Sequence, residues 1–145
     1  MYLNEFEPDV VVCNNFTKLL PQSFLDFLKF TNPKIKILNI HHADLRIKSD
    51  EGVLAYKGLT GEVREILEEQ QVITTIHFIE DDKMDEGKQL HYSKPTTIAE
   101  MKQKGFLHDK EEVINYRIKN VITQYHERTK VLVPLSKIIS KLVEK

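Results

Sequence analysis

The sequence has little cysteine, little glycine and no long apolar run, and each shortage excludes a class of protein. Cys13 is the only cysteine among 145 residues, so no disulfide can form within the chain, and a reducing, cytoplasmic compartment is expected. No apolar stretch approaches the roughly 20 residues of a membrane span, and residues 1–5 lack the basic and apolar regions of a signal peptide. The formal net charge of -1 is not the basic excess of a nucleic-acid-binding protein. We therefore expect neither a membrane nor a nucleic acid as a partner.

What the chain does contain is typical of one folded domain. Apolar residues make up 41% of the sequence and charged residues 30%, as in ordinary globular proteins. This length is enough to bury a core without disulfides or metals. We expect a single domain spanning residues 1–145.

Short apolar runs alternate with helical patterns along the first half of the chain. Strands are predicted at Val10–Cys13, Ile35–His41 and Val72–Ile79, each bounded by turn residues. Helices are predicted over Ser23–Phe30, with Ser23 as the N-cap, and over Gly61–Gln70, with its acidic residues on the solvent face. This order is typical of an α/β fold in which a mostly parallel sheet is flanked by helices.

The second half begins with turns and ends in helices. A long polar loop is predicted from His42 to Tyr56, and an acidic turn over Glu80–Gly87 is followed by a returning strand over Lys88–Ser93. Apolar residues then recur every three or four positions over Val113–Tyr125 and Val131–Val143, which predicts a helical C-terminus.

Three polar positions follow the predicted strands and suggest a functional site. Asn39 and His41 are two positions apart on a strand, so their side chains point to the same side of the sheet. Asp85 lies in the acidic turn behind the next strand. Because ligands in open α/β sheets bind beyond the carboxyl ends of strands, we expect the three side chains to meet there. A carboxylate next to an imidazole could hold it charged or carry its proton.

Several motifs resemble the formyltransferase family in order and spacing. They cover most of residues 1 to 100 and consist of Asp9–Pro21, Asn39-Ile40-His41, Tyr56-Lys57-Gly58, Thr75–Ile79 and Asp85-Glu86-Gly87. Thr75-Ile76-His77-Phe78 and Tyr125-His126-Glu127 are most similar to the phosphoribosylglycinamide branch of that family, which belongs to purine biosynthesis. The resemblance implies a partial Rossmann-like fold.

The resemblance also implies a reaction. Asn39, His41 and Asp85 match the catalytic asparagine, histidine and aspartate of the family. The donor would be 10-formyltetrahydrofolate, the acceptor a small molecule with a primary amine, such as a ribonucleotide, and no metal would be needed. Asn39 and a protonated His41 would donate hydrogen bonds to the negative charge that develops on the formyl oxygen. Asp85 would favour the imidazolium and relay a proton.

Folate contacts are implied in two loops. His77, in the middle of its strand, is expected to support the site from behind. Lys18 takes the place of an arginine that is common in the family, which keeps the charge but loses the planar fork. The implied folate-binding residues are Phe16, Lys18, Leu19, Leu20, Asp81 and Asp82.

Two departures from the family pattern concern the acceptor. The segment after His41 is His42-Ala43-Asp44-Leu45-Arg46 followed by an inserted polar stretch. Full-length members also begin with a strand and a glycine-rich turn that binds an acceptor phosphate, and the five glycines of this chain cannot form such a turn. We expect either a fragment or separately expressed catalytic half, with a partner or second subunit supplying the rest, or a shortened enzyme with another acceptor.

Other interpretations remain open. The chain could be a non-catalytic folate-binding or regulatory module, or a formyltransferase of the sugar-amine or methionyl-tRNA type. A metal site is a further alternative, because imidazole and carboxylate ligands suit zinc or iron. Its ligands would come from His41, His42, Asp44, His77 and Asp85.

The lack of a phosphate-binding turn predicts that a phosphorylated acceptor binds weakly. We expect this chain alone to bind glycinamide ribonucleotide weakly or not at all, because helix-start amides are the usual cradle for such a phosphate. Isothermal titration calorimetry measures this directly. Micromolar affinity for the chain alone would contradict the prediction.

Overall fold

The computed structural model describes residues 7–14, 18–106 and 122–144. The strands and helices in chain order are β1 Val10–Asn14, α1 Gln22–Thr31, β2 Lys36–His41, α2 Gly61–Glu69, β3 Gln71–Val72, β4 Thr75–Phe78, β5 Gln89–Tyr92, β6 Thr96–Thr97 and α3 Ile98–Gln103. Residues 122–126 are helical and lead through a π-helical turn, Glu127–Val131, into α4, Leu132–Val143. The predicted helix over Val113–Tyr125 lies mostly outside the described residues. No helix in the described ranges has the length and apolar character needed to cross a membrane.

The main sheet has four strands in the order β1-β2-β4-β5. β1 pairs with β2 in parallel, whereas β4 is antiparallel to both β2 and β5. Three of the four strands therefore point the same way, and the predicted α/β class, with a mostly parallel sheet and flanking helices, is confirmed. The direction of β4 differs from the parallel arrangement that the element order predicted.

The reversal of β4 begins at the end of α2. Gln70 has a left-handed conformation with φ 56°, and β3 then pairs with β6 in a separate two-stranded sheet. The chain consequently enters β4 at the end where β2 finishes, with Thr75 opposite His41. The prediction of one central strand over Val72–Ile79 was wrong, because this β-branched run is divided between two sheets.

Helices cover both faces of the main sheet. Leu38, Ile40 and Ile76 pack against residues of the C-terminal helical segment on one face. Ile37 packs against Leu25 and Leu28 of α1 on the other face. Burying such side chains stabilises the fold by about 1.5–3 kcal/mol each relative to exposure. Asn39 and His41 share the face of Ile37 and lie further along β2, which leaves them available for a site.

Two helix predictions need correction. Pro21 precedes α1 and no side chain caps the helix, so Ser23 is not the N-cap. In α2 only part of the acidic side faces solvent, because Glu68 and Glu69 are exposed whereas Glu62 is 7% exposed and Glu65 is 0% exposed.

Glu65 is the most deeply buried carboxyl group of α2. Its Oε2 accepts a hydrogen bond from the Asp44 amide at 3.0 Å. Burial raises the pKa of Glu65 to about 8, even though backbone hydrogen bonds from residues 44 and 73 act in the opposite direction. The group is therefore largely protonated in the folded protein at pH 7.

His126 is a second buried polar anchor, at 0% exposure. Its Nδ1 lies 2.7 Å from Thr96 Oγ1 and its Nε2 lies 3.0 Å from Ser93 Oγ. Burial lowers the pKa of His126 to about 3. The neutral ring thus ties helical residues 122–126 to Ser93, just after β5, and to Thr96 of β6.

The raised pKa of Glu65 predicts a pH-dependent stability. The unfolded chain releases this proton near pH 4.5 and the folded chain near pH 8, so the contribution of Glu65 is present at low pH and is lost as the pH rises across this window. Glu65→Gln should abolish that loss, leaving the variant more stable than wild type at pH 8 by on the order of 1 kcal/mol or more. Urea denaturation at pH 5 and pH 8 measures the difference, with the exposed Glu51→Gln as the control. Equal pH slopes in Glu65→Gln and wild type would contradict the assignment.

Candidate active site

The sheet places three polar side chains on one face. Asn39 and His41 alternate with the buried Leu38 and Ile40 along β2. His77 of β4 is the register partner of Asn39, so its ring lies on the same side. A β-bulge between Ile76 and His77 interrupts the pairing with β5 at this point, as is common beside functional sites.

Asp85 reaches the same face by an indirect route. Because β4 is antiparallel to β2, its last residue lies opposite Leu38 and not beside His41. The acidic loop therefore has to turn back along the sheet. Asp85 takes a left-handed conformation with φ 60°, and its Oδ2 accepts a hydrogen bond from the Gly58 amide at 2.8 Å. Aspartate is one of the non-glycine residues that adopt this region most readily.

The structure brings together Asn39, His41, His77 and Asp85, which we name the His–Asp–Asn cluster. Asn39 Nδ2 lies 3.1 Å from His77 Nε2 and 3.3 Å from Asp85 Oδ1. His41 Nδ1 is 3.5 Å from Asp85 Oδ2, and His77 Nε2 is 3.5 Å from Asp85 Oδ1. The carboxylate thus lies between two imidazoles and one carboxamide.

The far nitrogen of each imidazole contacts a backbone carbonyl. His41 Nε2 is 2.7 Å from Tyr56 O, and His77 Nδ1 is 3.0 Å from Phe78 O. A carbonyl only accepts hydrogen bonds, so each of these nitrogens carries a hydrogen. His77 Nε2 is then the acceptor for the Asn39 amide. Both amide hydrogens of Asn39 are used within the cluster, while its buried Oδ1 has no hydrogen-bond partner in the described part of the chain.

The electrostatics keep the carboxylate charged and favour a neutral His41. Burial lowers the pKa of His41 below 6.5, although the Asp85 carboxylate and the Tyr56 carbonyl act in the opposite direction. At pH 7 the ring is therefore mostly neutral, in contrast to the imidazolium that the family resemblance implies. Burial would raise the pKa of Asp85, but its contacts with His77, His41 and the Gly58 amide outweigh burial and lower it.

Two loops nearly close the site. The side chains of His41 and Asp85 are 11% and 7% exposed, and that of His77 is 2% exposed. Beside them, Lys57 and Glu86 form an ion pair at 3.5 Å between the segment before α2 and the acidic loop. The cluster is therefore largely buried beside these two loops.

The residues assigned to folate lie around the start of α1 and in the acidic loop. Lys18 is exposed and Leu19 is 50% exposed, whereas Leu20 packs against the α1 core. Asp81 Oδ1 accepts a hydrogen bond from the Lys83 amide. The Asp82 amide donates to Gln22 Oε1 at 3.3 Å, which joins the two segments. Phe16 lies outside the described residues.

The structure does not support the metal alternative. His42 Nδ1 contacts Thr74 Oγ1 at 2.9 Å, and Asp44 forms a bidentate ion pair with Arg46. Within residues 7–14, 18–106 and 122–144, no group of three or more His, Cys, Asp or Glu side chains is arranged to hold a metal ion.

Sequence reasoning missed the backbone groups that hold the cluster. The Tyr56 carbonyl and the Gly58 amide contact His41 and Asp85, and both belong to the Tyr56-Lys57-Gly58 motif. The motif was a signal that this segment lies near the site. The roles of Tyr56 and Gly58 could not be read from it, because main-chain groups are common to all residues.

Comparisons with known proteins identify the family of the chain. The family model described as formyl transferase matches residues 1–119. No curated protein sequence matches the chain significantly. The structure is similar to phosphoribosylglycinamide formyltransferase from Bacillus halodurans, with TM-score 0.51, 22% identity and coverage of 84% of this chain and 52% of that one. A Mycobacterium tuberculosis protein described as a candidate sugar N-formyltransferase has TM-score 0.45, 17% identity and coverage of 83% and 41%.

The chain belongs to the formyl transferase family, because the family model covers well over half of it. The likeness to the Bacillus halodurans enzyme concerns the fold. This chain spans about half the length of the solved structures it matches.

The geometry predicts how Asp85 controls the His41 ring. The carboxylate raises the pKa of His41 against the effect of burial, so Asp85→Asn should lower that pKa further. Titration of the assigned His41 ring resonances by NMR measures the midpoint. Glu86→Gln, which changes a neighbouring carboxylate that pairs with Lys57, is the matched control and should leave the midpoint close to wild type. An unchanged midpoint in Asp85→Asn would contradict the pairing.

Proposed function

We propose that this chain transfers a formyl group from 10-formyltetrahydrofolate to a primary amine. The observation that carries the proposal is the His–Asp–Asn cluster, in which Asn39 and His41 of β2 meet Asp85 in a chain of the formyl transferase family. The proposed reaction consumes no net proton. The amine loses one hydrogen as it bonds to the formyl carbon, and the nitrogen that leaves the formyl group gains one.

The segments assigned to the folate suit such a ligand. Leu19 offers an exposed apolar side chain, and the acidic loop next to it offers main-chain polar groups, a combination that fits an aromatic heterocycle with polar edges. Lys18 and Leu19, together with Asp81 and Asp82, would hold the folate. The folate supplies the formyl group and the nitrogen that leaves with a proton.

His41 and Asp85 are proposed to handle the proton. His41 Nε2 is held by the Tyr56 carbonyl, so Nδ1, which faces Asp85, is the atom that gains and loses a proton. A ring that is mostly neutral at pH 7 is ready to accept the proton of the attacking amine. Asp85 then stabilises the imidazolium until the proton is passed on.

Asn39 is proposed to stabilise the negative charge on the formyl oxygen. Both of its amide hydrogens are bonded within the cluster, to His77 and to Asp85. One of these bonds has to be exchanged for a bond to the formyl oxygen during reaction. When Asp85 shares a proton, its hold on the Asn39 amide weakens, which links the two events.

The acceptor is proposed to be a small amine of the phosphoribosylglycinamide type, in purine biosynthesis. The Thr75-Ile76-His77-Phe78 motif supports this assignment, because it is most similar to the phosphoribosylglycinamide branch of the family. A second candidate is a folate-binding module that needs a partner for activity. Its support is that the chain spans 52% of the Bacillus halodurans enzyme.

The decisive experiment is an assay of formyl transfer with variants of the cluster. His41→Ala and Asp85→Asn should each lower kcat/KM by at least about 100-fold, because general acid–base groups contribute that much or more. His91→Gln is the control, since His91 pairs with Ile76 and lies on the opposite face of the sheet. Undiminished turnover in His41→Ala would overturn the mechanism. Folate binding by fluorescence, without turnover in wild type for any amine tested, would favour the second candidate.

A further inference from the structure

Two glycines allow backbone carbonyls to come unusually close to the rings of the cluster. An ideal Cβ on Gly61 would lie 1.8 Å from Tyr56 O and 3.2 Å from His41 Nε2. An ideal Cβ on Gly87 would lie 1.8 Å from Phe78 O and 3.5 Å from His77 Nδ1. In both cases any side chain would push away the carbonyl that accepts the ring hydrogen.

The same construction thus occurs twice, on either side of one carboxylate. Tyr56 O accepts from His41 Nε2 at 2.7 Å, and Phe78 O accepts from His77 Nδ1 at 3.0 Å. Tyr56 is itself anchored, since the residue is 2% exposed and its hydroxyl lies within hydrogen-bond distance of the carboxylates of Glu68 and Glu69. The two rings are consequently held as opposite tautomers, one protonated at Nε2 and the other at Nδ1.

The two tautomers determine which ring nitrogens face the Asp85 carboxylate. The ring nitrogens that carry no fixed hydrogen, His41 Nδ1 and His77 Nε2, each lie 3.5 Å from a different oxygen of its carboxylate. The lone pair of His77 Nε2 accepts a hydrogen from the Asn39 amide at 3.1 Å. With both rings neutral, it is therefore the lone pair of His41 Nδ1 that faces the carboxylate, which is unfavourable in a buried site. One added proton on His41 Nδ1 turns its contact with Asp85 into a charge-assisted hydrogen bond.

We propose that Gly61 and Gly87 are positioning residues whose close-packed carbonyls hold His41 and His77 as opposite tautomers, so that the His–Asp–Asn cluster stores one proton at His41 Nδ1, beside Asp85. The proton enters and leaves there without rotation of the ring. His77 supports the store, because its Nε2 is kept without a hydrogen and accepts the Asn39 amide.

Other charged groups of the described residues also lie near the store. Glu62, at the start of α2, also faces His41 and favours its protonated form. The Lys57–Glu86 ion pair lies between the two loops that cover the cluster. His41 and Asp85 are expected to titrate as a coupled pair.

The role of this proton store in formyl transfer rests on the proposed function. The proton released from the amine when its nitrogen bonds to the formyl carbon would enter the store. The same proton would leave when the carbon–nitrogen bond to the folate breaks and that nitrogen takes it up. The tautomers themselves can be measured on the free protein, so failure of the formyl-transfer proposal would leave this inference testable.

Histidine tautomers can be read from ¹⁵N ring shifts by NMR in the wild-type chain without substrate. We expect neutral His41 with its hydrogen on Nε2, His77 with its hydrogen on Nδ1, and a response of the Asp85 carboxyl carbon at the midpoint of the His41 ring. Matching tautomers in the two rings, or a His41 midpoint with no response from Asp85, would overturn the proposal whatever the variants do.

Alanine variants test the role of the two glycines. Gly61→Ala should displace Tyr56 O and move the His41 hydrogen to Nδ1, where Asp85 accepts it, while Gly87→Ala should move the His77 hydrogen to Nε2. Gly52→Ala is the control, because a Cβ there meets nothing within 4 Å although φ is +78°. Wild-type tautomers in folded Gly61→Ala and Gly87→Ala, or the same changes in Gly52→Ala, would refute the positioning role.

Discussion

The buried Asp85 carboxylate is the interaction on which the site depends. A charge at 7% side-chain exposure is costly unless every oxygen has a partner, and here the Gly58 amide donates to Oδ2 and the Asn39 amide to Oδ1, with the rings of His41 and His77 each 3.5 Å away. Those partners come from β2, β4 and the segment before α2. Satisfying one carboxylate therefore fixes the relative positions of three separate parts of the chain.

The antiparallel direction of β4 makes this arrangement possible. This direction, in this register, places His77 directly opposite Asn39. It also carries the end of β4 away from His41, so the acidic loop has to return along the sheet face and meet the loop before α2. The return covers the cluster, and burial then lowers the pKa of His41 more than Asp85 raises it. The protonation state of the site thus follows from the topology of one strand.

Local patterns were good guides where a single physical preference decides the outcome. Strands β1 and β2 follow from β-branched and apolar runs. Helix α4, Leu132–Val143, follows from helical periodicity. The predictions failed where a tertiary contact overrides the local preference. Residues 72 to 79 look like one strand but divide between two sheets, and Glu65 looks solvated but accepts a buried backbone hydrogen bond.

The residue types of the site and the face of Asn39 and His41 were determined by the sequence alone, because side chains alternate along a strand whatever surrounds it. The resemblance to formyltransferases also lay in the sequence, since it depends on motif order. Only the tertiary structure decided the direction of β4, the route of Asp85 and the tautomers of the two histidines. These depend on the positions of backbone carbonyls and amides from distant segments, and the identity of a residue does not indicate where its main chain will lie.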